Sequence, residues 1–357
     1  MPEPQDPGGT SRRIRHSHPP TLREIAERAG VHVSTVSRVL RQDEPVDGWS
    51  AAALRIRAIA EELGYRPNHS AASLRTRRTT TIGAVMPRLT DGVVATVYQG
   101  IEEAARAAGY SVLLSSPPDE RGAQRSAIDL LAGRRVDGLL LSSLHSPARD
   151  FVSSLGLSMP MVAVNRHADA GLPFATGDDH HGGRLAGEHL LDCGYRRIGA
   201  IGGPAHATTG RDRLAGFLAA MADNAVTVDP AHISHASLDV PGGVAAARIL
   251  LDGPDRPDAI FAVSDTVAIG VLGVARDLGL RIPEDLGLVG YNDIPVVSQL
   301  PVPLTSVVAP ARDIGAAGIR LLLGLIDGRG AESVSLPVKL AVRGSTQDAA
   351  LRAGQVR

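Results

Sequence analysis

TLREIAERAGVHVSTVSRVL, residues 21–40, reads as two short helices broken by a glycine. Thr21 can cap the first helix, and Glu24 three residues on completes a capping box. Leu22, Ile25, Ala26 and Ala29 then repeat at the i, i+3, i+4, i+7 spacing of one buried stripe. Gly30 supplies the turn. On the second helix Val36, Val39 and Leu40 form the apolar face, which leaves Val33, Ser34, Ser37 and Arg38 turned outward. This is the layout of a helix-turn-helix, whose second helix enters the major groove of DNA. An ordinary αα-hairpin from a helical domain is the alternative.

The charge around this stretch is lopsided. Residues 10–80 carry 13 arginines against 7 acidic residues, whereas residues 81–357 carry 24 Lys+Arg against 29 acidic residues. Phosphate neutralisation needs cations concentrated on one element, so a basic end on a mildly acidic body points to nucleic acid. A solvated basic face is the plainer alternative. With 357 residues, 43% hydrophobic and 21% charged, the chain can form two or three globular domains. Its one cysteine, Cys193, excludes an internal disulfide framework, suits a reducing compartment and is expected to be a small buried thiol. The first twenty residues lack the apolar run of a signal peptide. No stretch approaches the roughly 18 uninterrupted apolar residues of a membrane span. A cytoplasmic location with no membrane partner is the expectation.

Upstream, residues 1–19 form a Pro/Gly/Arg/His tail expected to stay unfolded. Downstream, Arg41 to Gly48 is a polar loop. A third helix is predicted from Ser50 to Leu63, with Ile56, Ile59, Ala60 and Leu63 on one stripe and Gly64 as the stop. Three such helices share a core small enough to need help from a partner or from DNA. Asn68 can then cap a short amphipathic run ending at Thr81, in which Ala71, Leu74 and Arg75 share a side. A helix of two turns is marginal in water, so this linker should order only when something holds it.

From Ile82 the pattern changes to short apolar runs alternating with helical periods. IGAVM, YSVLLS, DGLLLS, MVAVN, RIGAIGG, AIFAVS and LGLVGY read as strands. Helices are predicted over VVATVYQGIEEAARAAG, up to Gly133, and near 180–193, 211–223, 242–251 and 265–278. The alternation argues for parallel sheets covered on both faces. About 260 residues exceed one small doubly wound sheet, so two lobes are expected, with a ligand between them at the carboxyl ends of the strands. The expected fold class is an all-α helix-turn-helix headpiece joined to an α/β core of two parallel-sheet lobes. The expected divisions are a headpiece over 20–66, a linker over 67–80, a core over 81–345 and a tail over 346–357.

Taken together, IAERAGVHVSTVSRVL, AEELGYRPN with AASLRT, RRVDGLLL, DDHHGGRLAGEHLLDCGYRRIGAIGGP, RDRLAGF, SDTVAIGVLGVARDLGLRIPEDLGLVGYND and PLTSVVAP resemble bacterial transcription regulators of the lac-repressor (LacI/GalR) family over about residues 21–345. The resemblance implies a DNA-reading headpiece, a hinge helix and a two-lobed, periplasmic-binding-protein-like effector core. It also implies a homodimer, or a dimer of dimers, on a palindromic operator; no cofactor, metal or catalysis is expected. Base contacts would then fall on Val33, Ser34 and Arg38, with Thr35 and Ser37 on phosphate or helix geometry. Leu74 would be a minor-groove wedge, Ala71 would let paired hinge helices approach, and Arg75 would lie near phosphate. Ala72 departs from an arginine frequent in the family, and Gln42–Ser50 fits the pattern poorly. Trp49 is expected to cover the small core.

His32 stands where the family usually has serine, a better N-cap by about 1 kcal/mol. Either another group caps the second helix, or His32 reaches a phosphate. In the core the resemblance places Arg213 in the effector cleft, with Asn165 and Asn292 where aspartates are common. Ser264 and Asp265 would line the other lobe's edge, with Asp265 also a candidate helix cap. Val93, Val94 and Leu238 stand where aromatic rings often stack on the effector, and Ala207 replaces an arginine of purine-responsive members. With 3% aromatic residues, the expected effector is a small polar metabolite, a sugar or sugar derivative.

Two other functions fit less well. A dinucleotide enzyme would need G-x-G-x-x-G where this chain has G-A-I-G-G. The adjacent His180 and His181 point to different sides of a helix and have no third metal ligand nearby in sequence. A transport-type binding protein would share the lobes, but it would carry an export signal in place of the DNA-reading end. The C-terminal tail lacks a leucine heptad, which favours a dimer over a tetramer.

Overall fold

A computed structural model describes residues 20–40, 49–65 and 78–346. The N-terminal tail, the loop at 41–48, the hinge residues Ala71, Ala72, Leu74 and Arg75, and the tail after 346 lie outside the described residues. The chain divides into two compact units between Arg77 and Arg78.

In the first unit, α1 (Leu22–Ala29), α2 (Val33–Val39) and α3 (Ala51–Glu62) enclose Ile25, Ala26, Ala29, Val36, Val39, Ala53, Ile56 and Ala60. The reciprocal capping box forms: the Glu24 N–H donates to Thr21 Oγ1 at 3.3 Å, and the Thr21 N–H donates to the Glu24 carboxylate at 2.8 Å. Gly30 takes φ +66°, the left-handed value that ends α1 without a Cβ penalty. Ser50 caps α3. Trp49 packs on this core with the Arg57 guanidinium 4.3 Å above its ring.

The second unit contains, among the described residues, two six-stranded sheets. The first runs β11-β5-β4-β3-β1-β2, entirely parallel: β1 is Thr81–Val85, β2 Ser111–Ser115, β3 Gly138–Leu141, β4 Met161–Val164, β5 Phe174–Gly177 and β11 Val334–Leu336. The second runs β12-β10-β9-β8-β6-β7, with β6 Ile198–Gly202, β7 Ile233–His235, β8 Ala259–Ala262, β9 Gly287–Asn292, β10 Thr305–Val308 and β12 Lys339–Ala341. Only the β10–β12 pair in this sheet is antiparallel.

Each sheet is covered on both faces, so alternate strand residues enter different cores. Ile82 and Ala84 face α4 (Gly92–Ala107) and α11 (Ala311–Ile326), while Val85 faces α5 (Arg121–Gly133) and α6 (Arg149–Ser154). In the second lobe Val289 and Tyr291 pack under α7 (Asp179–Asp192) and α8 (Thr208–Asp223). Leu288 packs under α9 (Val240–Leu251) and α10 (Asp265–Asp277). Cys193 is buried in the second lobe, 3.6 Å from His189 Nε2.

Three helix pairs meet at glycines. A Cβ on Gly100 would collide with the Arg312 carbonyl and one on Gly315 with that of Val97, so α4 and α11 touch backbone to backbone. Gly183 and Gly216 do the same for α7 and α8, as do Gly243 and Gly270 for α9 and α10. The chain passes between the lobes three times: after β5, after β10, and between β11 and β12. No described helix is long and apolar enough to cross a membrane.

Candidate functional site

In the headpiece the second helix presents Ser34 and Arg38 to solvent, with Thr35 and Ser37 half-buried. Two expectations need correction here. Val33 does not turn wholly outward: it is half-buried and packs on the headpiece core, leaving only part of its methyl surface accessible. His32 does not leave the helix start to another group. Its ring Nδ1 accepts the Ser34 N–H at 3.3 Å and stands 2.7 Å from Ser34 Oγ. A neutral imidazole with its proton on Nε2 has a free Nδ1 lone pair, so histidine acts as the N-cap without a hydroxyl.

In the core, a cleft between the two sheets encloses about 560 Å³ not filled by atoms, part of it open to solvent. Its walls come from the carboxyl ends of the strands, where a doubly wound sheet leaves its crevice. Pro87 and Arg88 follow β1, Ser142 follows β3, Asn165 and Arg166 follow β4, and Leu238 follows β7. Ser264 follows β8, and Asn292 ends β9. The starts of α4, α8 and α10 add Asp91, Val93, Val94, Thr209, Arg213 and Thr266.

Seven of the eight core residues expected at the effector site therefore meet here: Val93, Val94, Asn165, Arg213, Leu238, Ser264 and Asn292. Asp265 does not. It is 1% exposed behind the wall, accepting from Ser306 Oγ at 2.6 Å and from the Ile294 N–H at 2.8 Å. Burial pushes its carboxyl up to about 7 against those two donors. The cap of α10 is Ser264, whose Oγ accepts the Val267 N–H. Ala207 is buried just before α8 and does not border the cleft.

Arg213 is held rigidly. Nε donates to Asp179 at 2.7 Å, Nη1 donates to the Val263 carbonyl at 2.9 Å, and the guanidinium stacks 3.7 Å from the Tyr291 ring centroid. Burial works against its charge, but Asp179 and the Tyr291 hydroxyl outweigh that and raise it above the ordinary arginine value. Asn165 and Asn292 adopt φ +65° and +104°, backbone states that asparagine tolerates better than most residues. The Asn292 Oδ1 is buried without a partner.

Arg88 and Arg166 are cleft residues that sequence reasoning misses. Their signal is positional: VMPR and VNR each put an arginine just past a strand's carboxyl end, where the crevice must lie.

The lobes are also joined by side-chain and backbone contacts across the cleft. His167 Nε2 and Asp212 stand 2.8 Å apart, and Arg211 pairs with Asp169 at 3.0 Å. The Ser146 N–H donates to the His206 carbonyl at 3.0 Å, and the His145 and His206 rings stack at 3.9 Å. The hydrogen bond to Asp212 raises His167 above the usual histidine value; Asp169 adds to this, and burial and Arg211 oppose it. A raised histidine stabilises fully below its unfolded value of about 6.5 and loses that contribution as pH climbs through the folded value. Melting temperature should therefore carry a component that falls on going from about pH 6 to about pH 9, and His167→Gln should remove it. Identical pH profiles for the two proteins would refute the linkage.

Residues 21–68 match the family model for bacterial regulatory proteins of the lacI family, and residues 188–346 match that for a periplasmic binding protein-like domain. The ribose operon repressor of Halalkalibacterium halodurans is 33% identical, over 92% of this chain and 97% of that protein. The transcriptional repressor CytR of Escherichia coli is 31% identical, over 92% of this chain and 96% of that protein. Among solved structures, a lac repressor dimer bound to operator and the anti-inducer ONPF superposes with a TM-score of 0.80 at 26% identity, covering 92% of this chain and 100% of that one. A complex of the regulator CelR with cellobiose gives 0.68 at 34% identity, covering 91% of this chain and 99% of that one.

Proposed function

The chain belongs to the lacI family of bacterial regulatory proteins, and from that premise we propose that it is a cytoplasmic repressor, not an enzyme, that grips a palindromic operator as a homodimer and is switched by a small polar metabolite bound between the core lobes. The observation that carries this reading is the pairing, on one chain, of a capped helix presenting Ser34 and Arg38 with a polar interlobe cleft built around Arg213. One relative is a ribose operon repressor and one similar structure is a regulator in complex with cellobiose, which favours a sugar or sugar derivative.

Arg38 can donate two parallel hydrogen bonds to guanine O6 and N7. Ser34 reaches base or phosphate, Val33 offers its accessible methyl to thymine, and Thr35 and Ser37 hold phosphate or helix geometry. Ala71, Leu74 and Arg75 serve the paired hinge at the operator centre. Closing the lobes around the effector shifts the hinges, which changes operator affinity.

The test is fluorescence anisotropy of the full chain on palindromes upstream of its own and neighbouring transcription units, against random duplex at the same salt. Arg38→Ala should lose about 10–100-fold of operator affinity while random-duplex binding changes little. Equal losses on both would refute base reading by Arg38. No preference for any palindrome, with or without metabolites, would refute the whole reading.

A further inference from the structure

Three guanidiniums reach the cleft, and they differ in how their charge is met. Arg213 is neutralised from behind by Asp179. Arg166 is 5% exposed, yet its nearest carboxylate, Asp119, stands 3.7 Å away, beyond hydrogen-bonding reach. Its Nη1 is a buried donor with no acceptor. Arg88 has no carboxylate at ion-pair distance among the described residues. Its Nη1 touches the Leu238 carbonyl of the opposite lobe at a long 3.5 Å, and its Nε is buried without an acceptor. Against these three, Asp91 is the one acidic side chain lining the cleft among the described residues, and it is engaged in capping α4 through the Val93 N–H at 2.9 Å.

Arg166 is buried with only a stretched ion pair to Asp119, and Arg88 is half-buried with none, so the cost of desolvating these guanidiniums is at best partly repaid. Burial pulls Arg166 below the ordinary arginine value; Asp119 resists, and repulsion from Arg88 and Arg213 adds to the fall. The cleft therefore holds two forked donors whose remedy is an oxyanion, the partner that guanidinium geometry suits best. The remaining uncharged polar groups of the wall are hydroxyls and amides: Ser142, Asn165, Thr209, Ser264, Thr266 and Asn292. These can donate to and accept from the hydroxyls of a polyol. Val93, Val94 and Leu238 offer no ring on which a planar base could stack.

We infer that the effector is an anionic polyol of monosaccharide size, with a carboxylate or phosphate held by Arg88 and Arg166 and its hydroxyls on the surrounding polar side chains. This rests on the cleft being the effector site. Because Arg88 reaches across to Leu238, an anion on it also lies where the two lobes meet, so its charge bears directly on lobe closure.

Calorimetric titration of the full-length chain with inorganic phosphate, gluconate, glucose 6-phosphate and glucose tests it. At least one anion should bind, and more tightly than glucose by about tenfold or more. Arg88→Gln should erase that margin. Arg166→Lys, which keeps the charge and loses the fork, should reduce it. Preference for gluconate assigns a sugar acid, and preference for glucose 6-phosphate assigns a sugar phosphate; either supports the inference. Glucose binding as tightly as the anions, unaffected by Arg88→Gln, overturns the charge inference and leaves the cleft reading standing. Anion binding that neither substitution weakens places the anion elsewhere and overturns it too. Binding of none of the four overturns both.

Discussion

Replacing Arg213 with alanine is expected to lower folding stability by about 3–5 kcal/mol and to abolish the response to effector. Arg213 is 5% exposed, and its removal strands Asp179, itself 8% exposed, as a buried carboxylate without its counter-ion. It also takes away the cation over the Tyr291 ring and the donor to the Val263 carbonyl. The stability loss and the functional loss have different causes and can be separated. Arg213→Met combined with Asp179→Asn removes both charges at similar volume, so most of the stability should return while effector sensing stays absent. Urea unfolding gives the first quantity, and effector-dependent release from DNA gives the second. A single mutant within about 1 kcal/mol of the parent would mean that the pair is not buried as described.

Gly183→Ala and Gly216→Ala should each be as damaging, at about 3 kcal/mol or more, because the added methyl meets backbone and no side chain can rotate away. At Gly183 the obstacle is the carbonyl of Arg213 itself, with Phe217 N 2.8 Å from the new carbon; at Gly216 it is the carbonyl of His180. Helices α7 and α8 must move apart, which displaces the residue that reaches the cleft. Gly183→Ala should therefore weaken effector binding as well as the fold, although it touches no ligand. Gly273→Ala in α10 is the opposite control: a methyl there would meet nothing within 4 Å, so helix propensity should raise stability by about 0.5–1 kcal/mol. Thermal and urea unfolding of the three variants would decide the matter, and tolerance of Gly183→Ala would sink the close-packing account.

Helix ends written by neighbouring residues are legible in the sequence. The Thr21–Glu24 box, Gly30, Ser50 and Gly64 all act within a turn, so α1, α2 and α3 can be drawn from local chemistry. The His32 cap cannot, because it depends on which ring nitrogen carries the proton. Central strands such as β3 and β9 announce themselves as apolar runs, whereas β5, β7, β10, β11 and β12 are short, interrupted by polar residues or glycine, and exist through their pairing. The sixteen residues of α11 carry Gly315, Gly318 and Gly324, which depress helix propensity. Contact with α4 requires Gly315 and outweighs that local cost. At the cleft, Arg213, Asn165 and Asn292 follow from family likeness. Arg88 and Arg166 need the strand ends located first. Asp265 departs from expectation because its neighbour Ser264 takes the cap and leaves the carboxylate to turn inward.

The three passages between lobes mean that neither lobe is a continuous piece of chain. The first sheet waits for β11 at residues 334–336 and its covering helix at 311–326, and the second waits for β12 at residues 339–341. On the ribosome, both halves stay unfinished at an edge until almost the last described residue has emerged. A premature stop before residue 334 removes an edge strand from both sheets in one product and uncovers β5 and β10 to self-association and proteolysis. Such a truncated copy has neither lobe complete, although its first unit, which ends at Arg77, is made in full.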